Sequence, residues 1–279
     1  MKQLVRPQII ATDLDGTSLY DGIHMSPRTF AMFNRAQAQG IQVVIVTGRS
    51  ALYLREMTLP DFHYAVANNG VIVMDMKTDT AVYKNLFTPE EALTAWNIIK
   101  PYGAYMELAV ENDVVIDQHS YDIHDKLSPP LLPHMRKYIA EGKMHVVPDM
   151  DAFIRAHLDS VEKFTIPRNP PEITEGIRRE LDATGLFRTR AAEEIDTLAI
   201  PRRTHKGKAL LGLADYLGIP HEAVYAFGDG GNDLQMLEDA GCGVAMGNAP
   251  DFVKQRADCV CGSVHEDGLA EFIESNFGI

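Results

Sequence analysis

Short apolar runs alternate with amphipathic stretches at both ends of the chain. Residues 8–12 and 41–46 have the composition of buried strands, and residues 27–39 between them carry apolar side chains at helical spacing. The same order returns in the last third, where residues 206–217 predict a helix and residues 223–227 a strand. Apolar strands separated by helices indicate a parallel sheet that is covered on both faces.

The middle of the chain follows a different pattern. Residues 105–110 and 113–117 predict an antiparallel pair of strands, and the strand predicted over residues 161–166 alternates in polarity. A sheet with one polar face is typical of an α+β layer and not of a doubly covered parallel sheet. The pattern therefore predicts an insertion between two halves of one α/β domain.

Chain length agrees with two domains. The chain has 279 residues, and single domains commonly contain roughly 100–150. Apolar residues make up 46% and charged residues 23%, which is ordinary globular composition. We predict an α/β, doubly wound parallel-sheet (Rossmann-like) core of residues 1–85 and 191–279, with an inserted α+β cap domain over residues 86–190.

Charge and cysteine content bear on the binding partners and the cellular compartment of the protein. The formal net charge is −13, and an acidic surface repels phosphate backbones and anionic lipids. No apolar run approaches the roughly 20 residues that span a bilayer, and the first ten residues lack a signal-peptide pattern. Three cysteines without metal-site spacing favour a reducing compartment. We expect a soluble, cytoplasmic protein, monomer or homodimer, that binds neither nucleic acid nor membrane.

Two acidic residues stand at the end of the first predicted strand. Asp13 and Asp15 are two positions apart, so their side chains project from the same side of an extended chain. Adjacent carboxylates repel each other unless a cation or a shared proton compensates. Parallel sheets bind ligands at the carboxyl ends of their strands, where this pair lies. The pair alone suits a ligand site and a solvated turn equally well.

Three further segments favour the ligand site. Residues 47–49 (Thr-Gly-Arg) follow the second strand and offer a hydroxyl and backbone N–H groups to an anion. Lys206 opens a helix, where its charge opposes the helix dipole and suggests an anionic partner. Residues 228–233 (GDGGND) add two carboxylates after another strand. Carboxylate oxygens, water and a phosphate oxygen are ligands that suit Mg²⁺.

With these motifs, the sequence resembles the haloacid dehalogenase-like (HAD) superfamily of phosphohydrolases, in particular its Cof-type branch with a type IIB cap. Four family motifs recur, at residues 13–17 (DLDGT), 47–49, 206–210 and 228–233. Three subfamily marks recur, at residues 68–70 (NNG), 246–249 (MGNA) and 267–268 (DG). The resemblance implies a HAD core, a type IIB cap and a Mg²⁺-dependent phosphatase.

The resemblance also implies roles for individual residues. Asp13 is the implied nucleophile that forms an aspartyl-phosphate, and Asp15 is the implied acid that protonates the leaving alkoxide and then takes a proton from water. The residues implied to bind the phosphoryl group or the substrate are Thr47, Gly48, Arg49, Lys206 and Asn232. The implied metal ligands are Asp13, the backbone carbonyl of Asp15, Asp229 and, in support, Asp233. Lys208 is a second lysine near the third motif, and the motif alone does not say which lysine faces the site.

These observations leave three functions open. A phosphatase would act on small phosphorylated metabolites, such as sugar phosphates or phosphorylated cofactors, and a phosphomutase of the same superfamily would return the phosphoryl group to the sugar. A non-catalytic phospho-receiver or binding protein is the third. Receiver modules lack a second aspartate two residues after the first, and a retired site would have lost a motif residue. The sequence favours the phosphatase.

Overall fold

A computed structural model describes residues 4–124, 133–189 and 197–279 of the chain. The chain forms two compact units. The first unit comprises Met1–Arg49, Glu56–Lys84 and His205–Ile279, and the second comprises Ser50–Arg55 and Asn85–Thr204. The predicted domain limits stay predictions, and the limit between residues 190 and 191 lies outside the described residues.

The described strands belong to two sheets. Those of the first unit are β1 (Ile9–Thr12), β2 (Gln42–Val46), β3 (Tyr64–Ala67), β4 (Ile72–Asp75), β5 (Thr80–Lys84), β12 (Val224–Gly228), β13 (Cys242–Ala245) and β14 (Cys259–Val260). Those of the second unit are β6 (Glu107–Val110), β7 (Asp113–Asp117), β8 (Met144–Val147), β9 (Val161–Ile166), β10 (Phe187–Arg188) and β11 (Thr197–Pro201).

The α-helices divide in the same way. Those of the first unit are α1 (Pro27–Ala38), α8 (Lys206–Leu217), α9 (Leu234–Asp239), α10 (Asp251–Lys254) and α11 (Gly268–Phe277). Those of the second unit are α2 (Ala51–Arg55), α3 (Pro89–Ile99), α4 (Gln118–Ile123), α5 (Pro133–Ala140), α6 (Met150–Ala156) and α7 (Pro171–Thr184). Across the three described stretches, every helix is too short or too polar to cross a bilayer.

The first sheet is mainly parallel. Its eight strands lie in the order β14-β13-β12-β1-β2-β3-β4-β5, and the strands from β14 to β3 run parallel. The last two strands run antiparallel, because the Asn-Asn-Gly turn at residues 68–70 folds β4 back onto β3 as a hairpin. At the other edge of the sheet, β14 pairs in parallel with β13.

Helices cover both faces of this sheet. Ala11 of β1 lies on one face, in a buried cluster with Leu210 of α8. Phe227 of β12 lies on the other face, where its ring centroid is 5.7 Å from that of Phe272 in α11. When helices cover both faces of a sheet, side chains on both sides of each strand are buried and apolar. This burial explains why β1 is a nearly continuous apolar run without alternating polar residues. The predicted doubly covered α/β core is confirmed.

The second unit has its own six-stranded sheet, in the order β10-β11-β9-β6-β7-β8. Its neighbours run antiparallel except β7 and β8, and the predicted β6–β7 turn is confirmed. Strand β11 lies beyond the predicted limit of the cap, yet it pairs with β9 in this sheet. Pairing with β11 gives partners to backbone groups of β9 that would otherwise lie at a sheet edge.

Candidate active site

The acidic residues of the first and fourth motifs meet at the carboxyl ends of the central strands of the first sheet. Asp13 follows β1 and Asp229 follows β12, which are parallel neighbours, so their carboxyl ends lie side by side. The Asp13 N–H continues the ladder and donates to the carbonyl of Phe227 at 3.0 Å. Gly16 has a φ of +80°, and a Cβ there would lie 2.3 Å from Asp229 Oδ2. Only glycine allows both that conformation and that approach.

Lys206 of α8 contacts acidic residues of the first and fourth motifs at these strand ends. Its Nζ lies 2.6 Å from Asp13 Oδ1 and 2.7 Å from Asp233 Oδ1. All three residues are buried, with relative exposures of 1% for Lys206, 6% for Asp13 and 0% for Asp233. Lys206 is the first residue of α8, and the side chain of the preceding residue, His205, accepts a hydrogen bond from the Lys208 N–H as the helix cap. Lys208 itself is exposed.

Burial and neighbouring charges oppose each other in this cluster. Burial lowers the pKa of Lys206, but Asp13 and Asp233 outweigh it, so the net shift of that pKa is upward. Burial raises the pKa of Asp13 to about 8, although the Lys206 ammonium pulls it down. Burial also raises the pKa of Asp229 to about 6, against a hydrogen bond from Thr17 that favours the carboxylate. Ionisation of Asp13 and Asp229 is therefore unfavourable unless a cation compensates the negative charge.

Hydrogen bonds orient the two carboxylates of the fourth motif. Asp229 Oδ1 accepts from Thr17 Oγ1 at 2.7 Å. Asp233 Oδ2 accepts from the backbone N–H groups of Asp229 and Gly230 at 3.1 and 2.9 Å, which leaves Oδ1 facing Lys206. A single turn of 3-10 helix over Gly231–Asp233 leads into α9, which begins at Leu234.

Asp13, Asp229 and Asp233 form an acidic cluster that could hold a metal ion. Each offers one carboxylate oxygen, and these oxygens lie within 4.8 Å of one another. With the three carboxylates ionised, one ammonium leaves the cluster with two uncompensated negative charges, which a divalent cation would neutralise. An all-oxygen donor set suits a hard cation and not a thiophilic one.

The second motif lies next to this cluster, at the carboxyl end of β2. Thr47 is buried, its N–H donates to the carbonyl of Val66 at 2.8 Å, and its Oγ1 accepts from the Arg49 N–H at 3.2 Å. Thr47 O and Arg49 O each accept a backbone N–H from the turn at residues 68–70, both at 2.9 Å. The backbone of residues 47–49 is therefore tied to two neighbouring segments.

The guanidinium of Arg49 contacts Asp15. Arg49 Nη2 lies 2.5 Å from Asp15 Oδ1, and Nε lies 3.0 Å from Oδ2. Arg49 Nη2 also donates to the carbonyl of Gly22 at 2.5 Å. The Asp15 side chain is half exposed, at 50%, whereas that of Asp13 is buried against Lys206. The two aspartates of the first motif thus have different surroundings.

Most of the chain matches a known family. A family model for haloacid dehalogenase-like hydrolases matches residues 10–273. The chain belongs to the haloacid dehalogenase-like hydrolases. Within this superfamily it is a Cof-type member with a subfamily IIB cap, and it is a phosphatase, that is, a phosphoric monoester hydrolase. The predicted family and enzyme class are confirmed.

Individual relatives in this superfamily cover nearly all of the chain. The chain is 29% identical over 294 residues to 5-amino-6-(5-phospho-D-ribitylamino)uracil phosphatase YitU of Bacillus subtilis, covering 98% of this chain and 99% of the relative. It is 29% identical to pyridoxal phosphate phosphatase YbhA of Escherichia coli, covering 96% and 98%. The crystal structure of a haloacid dehalogenase-like hydrolase from Bacteroides thetaiotaomicron superposes with a TM-score of 0.78 at 26% identity, covering 98% and 100%.

The haloacid dehalogenase-like core thus brings the predicted residues of the first, third and fourth motifs together at the ends of neighbouring strands. Of the two lysines in the third motif, the structure turns Lys206 toward the carboxylates. Asn232 donates from Nδ2 to Asn69 Oδ1 at 3.2 Å. The predicted roles of Arg49 and Asn232 in binding phosphate stay predictions.

Asn69 and Asn248 contact residues of the motifs, although the sequence alone indicates no role for either. Asn69 accepts the hydrogen bond from Asn232. Asn248 donates from Nδ2 to Gly16 O at 2.8 Å and lies 3.4 Å from Asp229 Oδ2, while its Oδ1 accepts from the Val264 N–H at 2.9 Å. Both asparagines belong to the subfamily marks, so the marks were visible in the sequence but their contacts were not.

Proposed function

We propose that this protein is a Mg²⁺-dependent phosphatase that hydrolyses small phosphate monoesters, such as sugar phosphates or phosphorylated cofactors, through an aspartyl-phosphate on Asp13. The observation that carries the proposal is the 2.6 Å contact between Lys206 Nζ and Asp13 Oδ1 inside a buried acidic cluster. A carboxylate can attack a phosphate dianion only where positive charge offsets their repulsion, and Lys206 supplies such a charge beside the nucleophile.

The proposed reaction has two displacements at phosphorus. In the first, an Asp13 carboxylate oxygen attacks phosphorus, the bond to the leaving oxygen breaks, and Asp15 gives its proton to that oxygen. In the second, water attacks the aspartyl-phosphate, Asp15 takes a proton from the water, and the bond between phosphorus and Asp13 breaks. The products are the alcohol and inorganic phosphate, and both aspartates return to their starting forms.

The residues around Asp13 have assigned tasks in this reaction. Lys206, Thr47 and the backbone N–H of Gly48 hold the phosphoryl oxygens, with Asn232 beside them. Thr17 keeps the Asp229 carboxylate in place through its hydrogen bond at 2.7 Å. Because these groups lie on separate strand ends, turns and a helix start of one folded core, the fold and not the substrate establishes their spacing.

The acidic cluster fits Mg²⁺. Asp13, Asp229 and Asp233 provide only carboxylate oxygens, and with Lys206 they retain an excess of negative charge when ionised. Mg²⁺ prefers one or two carboxylates together with waters and a phosphate oxygen. The residues that would hold it are Asp13, Asp229 and the Asp15 backbone carbonyl, with Asp233 in support. When bound, Mg²⁺ would neutralise charge between the carboxylate and the phosphoryl group.

Two relatives support the proposed size and type of substrate. One is named as a phosphatase of 5-amino-6-(5-phospho-D-ribitylamino)uracil and the other as a phosphatase of pyridoxal phosphate. Both named substrates are small molecules with a single phosphate ester. We extend that class to this chain and leave open which member of it is the physiological substrate.

The test is phosphate release by purified full-length protein. With Mg²⁺ present, we expect inorganic phosphate from p-nitrophenyl phosphate and from at least one member of a panel of sugar phosphates, pyridoxal phosphate and phosphorylated pyrimidine intermediates. EDTA should stop the release, and added Mg²⁺ should restore it. A product that keeps its phosphate at a new position on the sugar would instead favour the phosphomutase, and absence of any phosphoryl transfer would contradict the proposal.

A further inference from the structure

We propose that Asn69 is a positioning residue of the active site, which holds Asn232 and the Gly48 loop in register through its side-chain amide. The inference rests on the proposed function, because that function assigns tasks to Asn232 and to residues 47–49. It adds a residue from outside the four motifs, and it gives a task to a turn that the sequence otherwise explains as a simple hairpin connection.

The backbone of this turn is unusual. Asn68, Asn69 and Gly70 have φ values of 51°, 56° and 98°, so three consecutive residues adopt the left-handed region. Residues of L-chirality visit that region singly as a rule, although asparagine tolerates it better than most. A plain hairpin does not require three such residues in a row. Backbone conformations of this kind persist where the surroundings over-determine them, and functional sites are one such place.

The turn contacts the second motif through its backbone and through the Asn69 side chain. The Asn69 N–H donates to Thr47 O at 2.9 Å. The amide of Asn69 lies against Gly48, where a Cβ would come within 3.1 Å of Asn69 Oδ1 and 3.2 Å of Nδ2. A residue with a side chain at position 48 would therefore push the Asn69 amide away from its present position.

The same turn contacts the third and fourth motifs. Gly70 approaches the backbone of His205, where a Cβ would lie 2.5 Å from His205 O, so the turn lies against the residue that precedes Lys206. Asn69 Oδ1 accepts from Asn232 Nδ2 at 3.2 Å. One short turn thus touches three of the four motifs, and the Asn69 side chain reaches from the second to the fourth. Asn69 is 9% exposed, so water does not readily replace its hydrogen bond.

The experiment is a double-mutant cycle with Asn69→Gly and Asn232→Ala. Glycine accepts the left-handed backbone, so this substitution removes the side chain and leaves the turn unstrained. If Asn69 acts through Asn232, each single variant should lose about tenfold in kcat/KM, and the double variant should also lose about tenfold. Losses that multiply to about a hundredfold, or wild-type activity of Asn69→Gly, would overturn the proposal.

A matched control distinguishes the loss of the Asn69 side chain from the effect of placing glycine at a residue with positive φ. Asp79 also has a positive φ, of 53°, and lies exposed in the turn between β4 and β5. That turn lies at the opposite end of the strands from the motifs. The reason is that β4 runs antiparallel to β3 and ends beside the start of β3. Asp79→Gly makes the same kind of backbone change and should keep the wild-type kcat/KM.

A second pair of variants tests the contact without changing residue 69. Gly48→Ala should displace the Asn69 amide and lower kcat/KM. In the Asn232→Ala background, the same substitution should cause a smaller loss of kcat/KM than it does in the wild type. Additive losses in this pair would also overturn the role of Asn69. Wild-type protein that released no phosphate from any ester would overturn the proposed function, so the two failures are distinguishable.

Discussion

Arg49 and Asp15 form a two-point ion pair, in which Nη2 lies 2.5 Å from Oδ1 and Nε lies 3.0 Å from Oδ2. The guanidinium predicted to bind phosphate therefore contacts the proposed acid of the same site. A planar guanidinium matches a carboxylate at two points, which a lysine ammonium cannot do. The pair orients the Asp15 side chain, which is otherwise half exposed.

Arg49→Lys should lower kcat/KM by about tenfold, because the ammonium cannot hold the Asp15 carboxylate at two points. The free energy of unfolding should change by less than about 1 kcal/mol, since the pair is partly exposed. Arg35→Lys is the control, because Arg35 forms a comparable exposed pair with Glu274 away from the motifs. Equal activities of the Arg49→Lys and Arg35→Lys proteins would count against an orienting role for Arg49.

Asp13→Asn should reduce phosphate release by about a thousandfold or more, because an amide is a poor nucleophile of the same size. The asparagine can still accept a hydrogen bond from Lys206, so the melting temperature should stay close to that of the wild type. Asp75→Asn, at the last residue of β4 and at the opposite end of the strands from the motifs, should release phosphate at the wild-type rate. Substantial turnover by Asp13→Asn, measured with inorganic phosphate detection, would reject Asp13 as the nucleophile.

Lys206→Met should destabilise the protein by about 3–5 kcal/mol, because Asp13 and Asp233 would keep buried carboxyl groups without their cation. Lys208→Met changes the same residue type two positions later on an exposed part of α8, and it should be nearly neutral. Urea denaturation of both variants measures the difference. Similar unfolding midpoints for the two would show that the Lys206 contacts contribute little to stability.

The Mg²⁺-free protein should lose stability as the pH rises through about 6. Burial raises the pKa of Asp229 from its ordinary 3.8 to about 6, so the folded state binds this proton more tightly than the unfolded chain. The stabilising contribution is therefore complete below about pH 4 and disappears as the pH passes about 6. Thermal unfolding in EDTA should show this decline, and Asp229→Asn should reduce it, whereas exposed Asp251→Asn should not.

The same proton competes with the metal. Metal binding requires deprotonated ligands, so the increase in melting temperature caused by Mg²⁺ should grow from about pH 5 until the pH exceeds about 8, the pKa of Asp13. Asp229→Asn should remove most of that increase at every pH, because it loses one of the cluster's ligands. A Mg²⁺ effect of equal size in Asp229→Asn and in the wild type would contradict a metal site at this cluster.

Several tertiary contacts were beyond the reach of pattern reasoning. The partner of Arg49 is set by which rotamer brings its guanidinium to Asp15, a choice that no spacing in the sequence expresses. The pairing of β11 with β9 joins segments on either side of α7, and strand order depends on all the other strands of the sheet. Asn69 meets Asn232 across 163 positions of sequence, so only the packed core reveals the contact.

The sequence by itself determined the α/β core, the inserted second sheet, the family and the strand ends at which the acidic residues lie. It could do so because apolar periodicity, short strand-to-helix connections and motif spacing are local properties of the chain. Tertiary structure decided that Lys206 and not Lys208 reaches Asp13, and that one left-handed turn contacts three motifs. Those outcomes depend on helix rotation and on close packing between distant segments, which are settled only when the whole core is assembled.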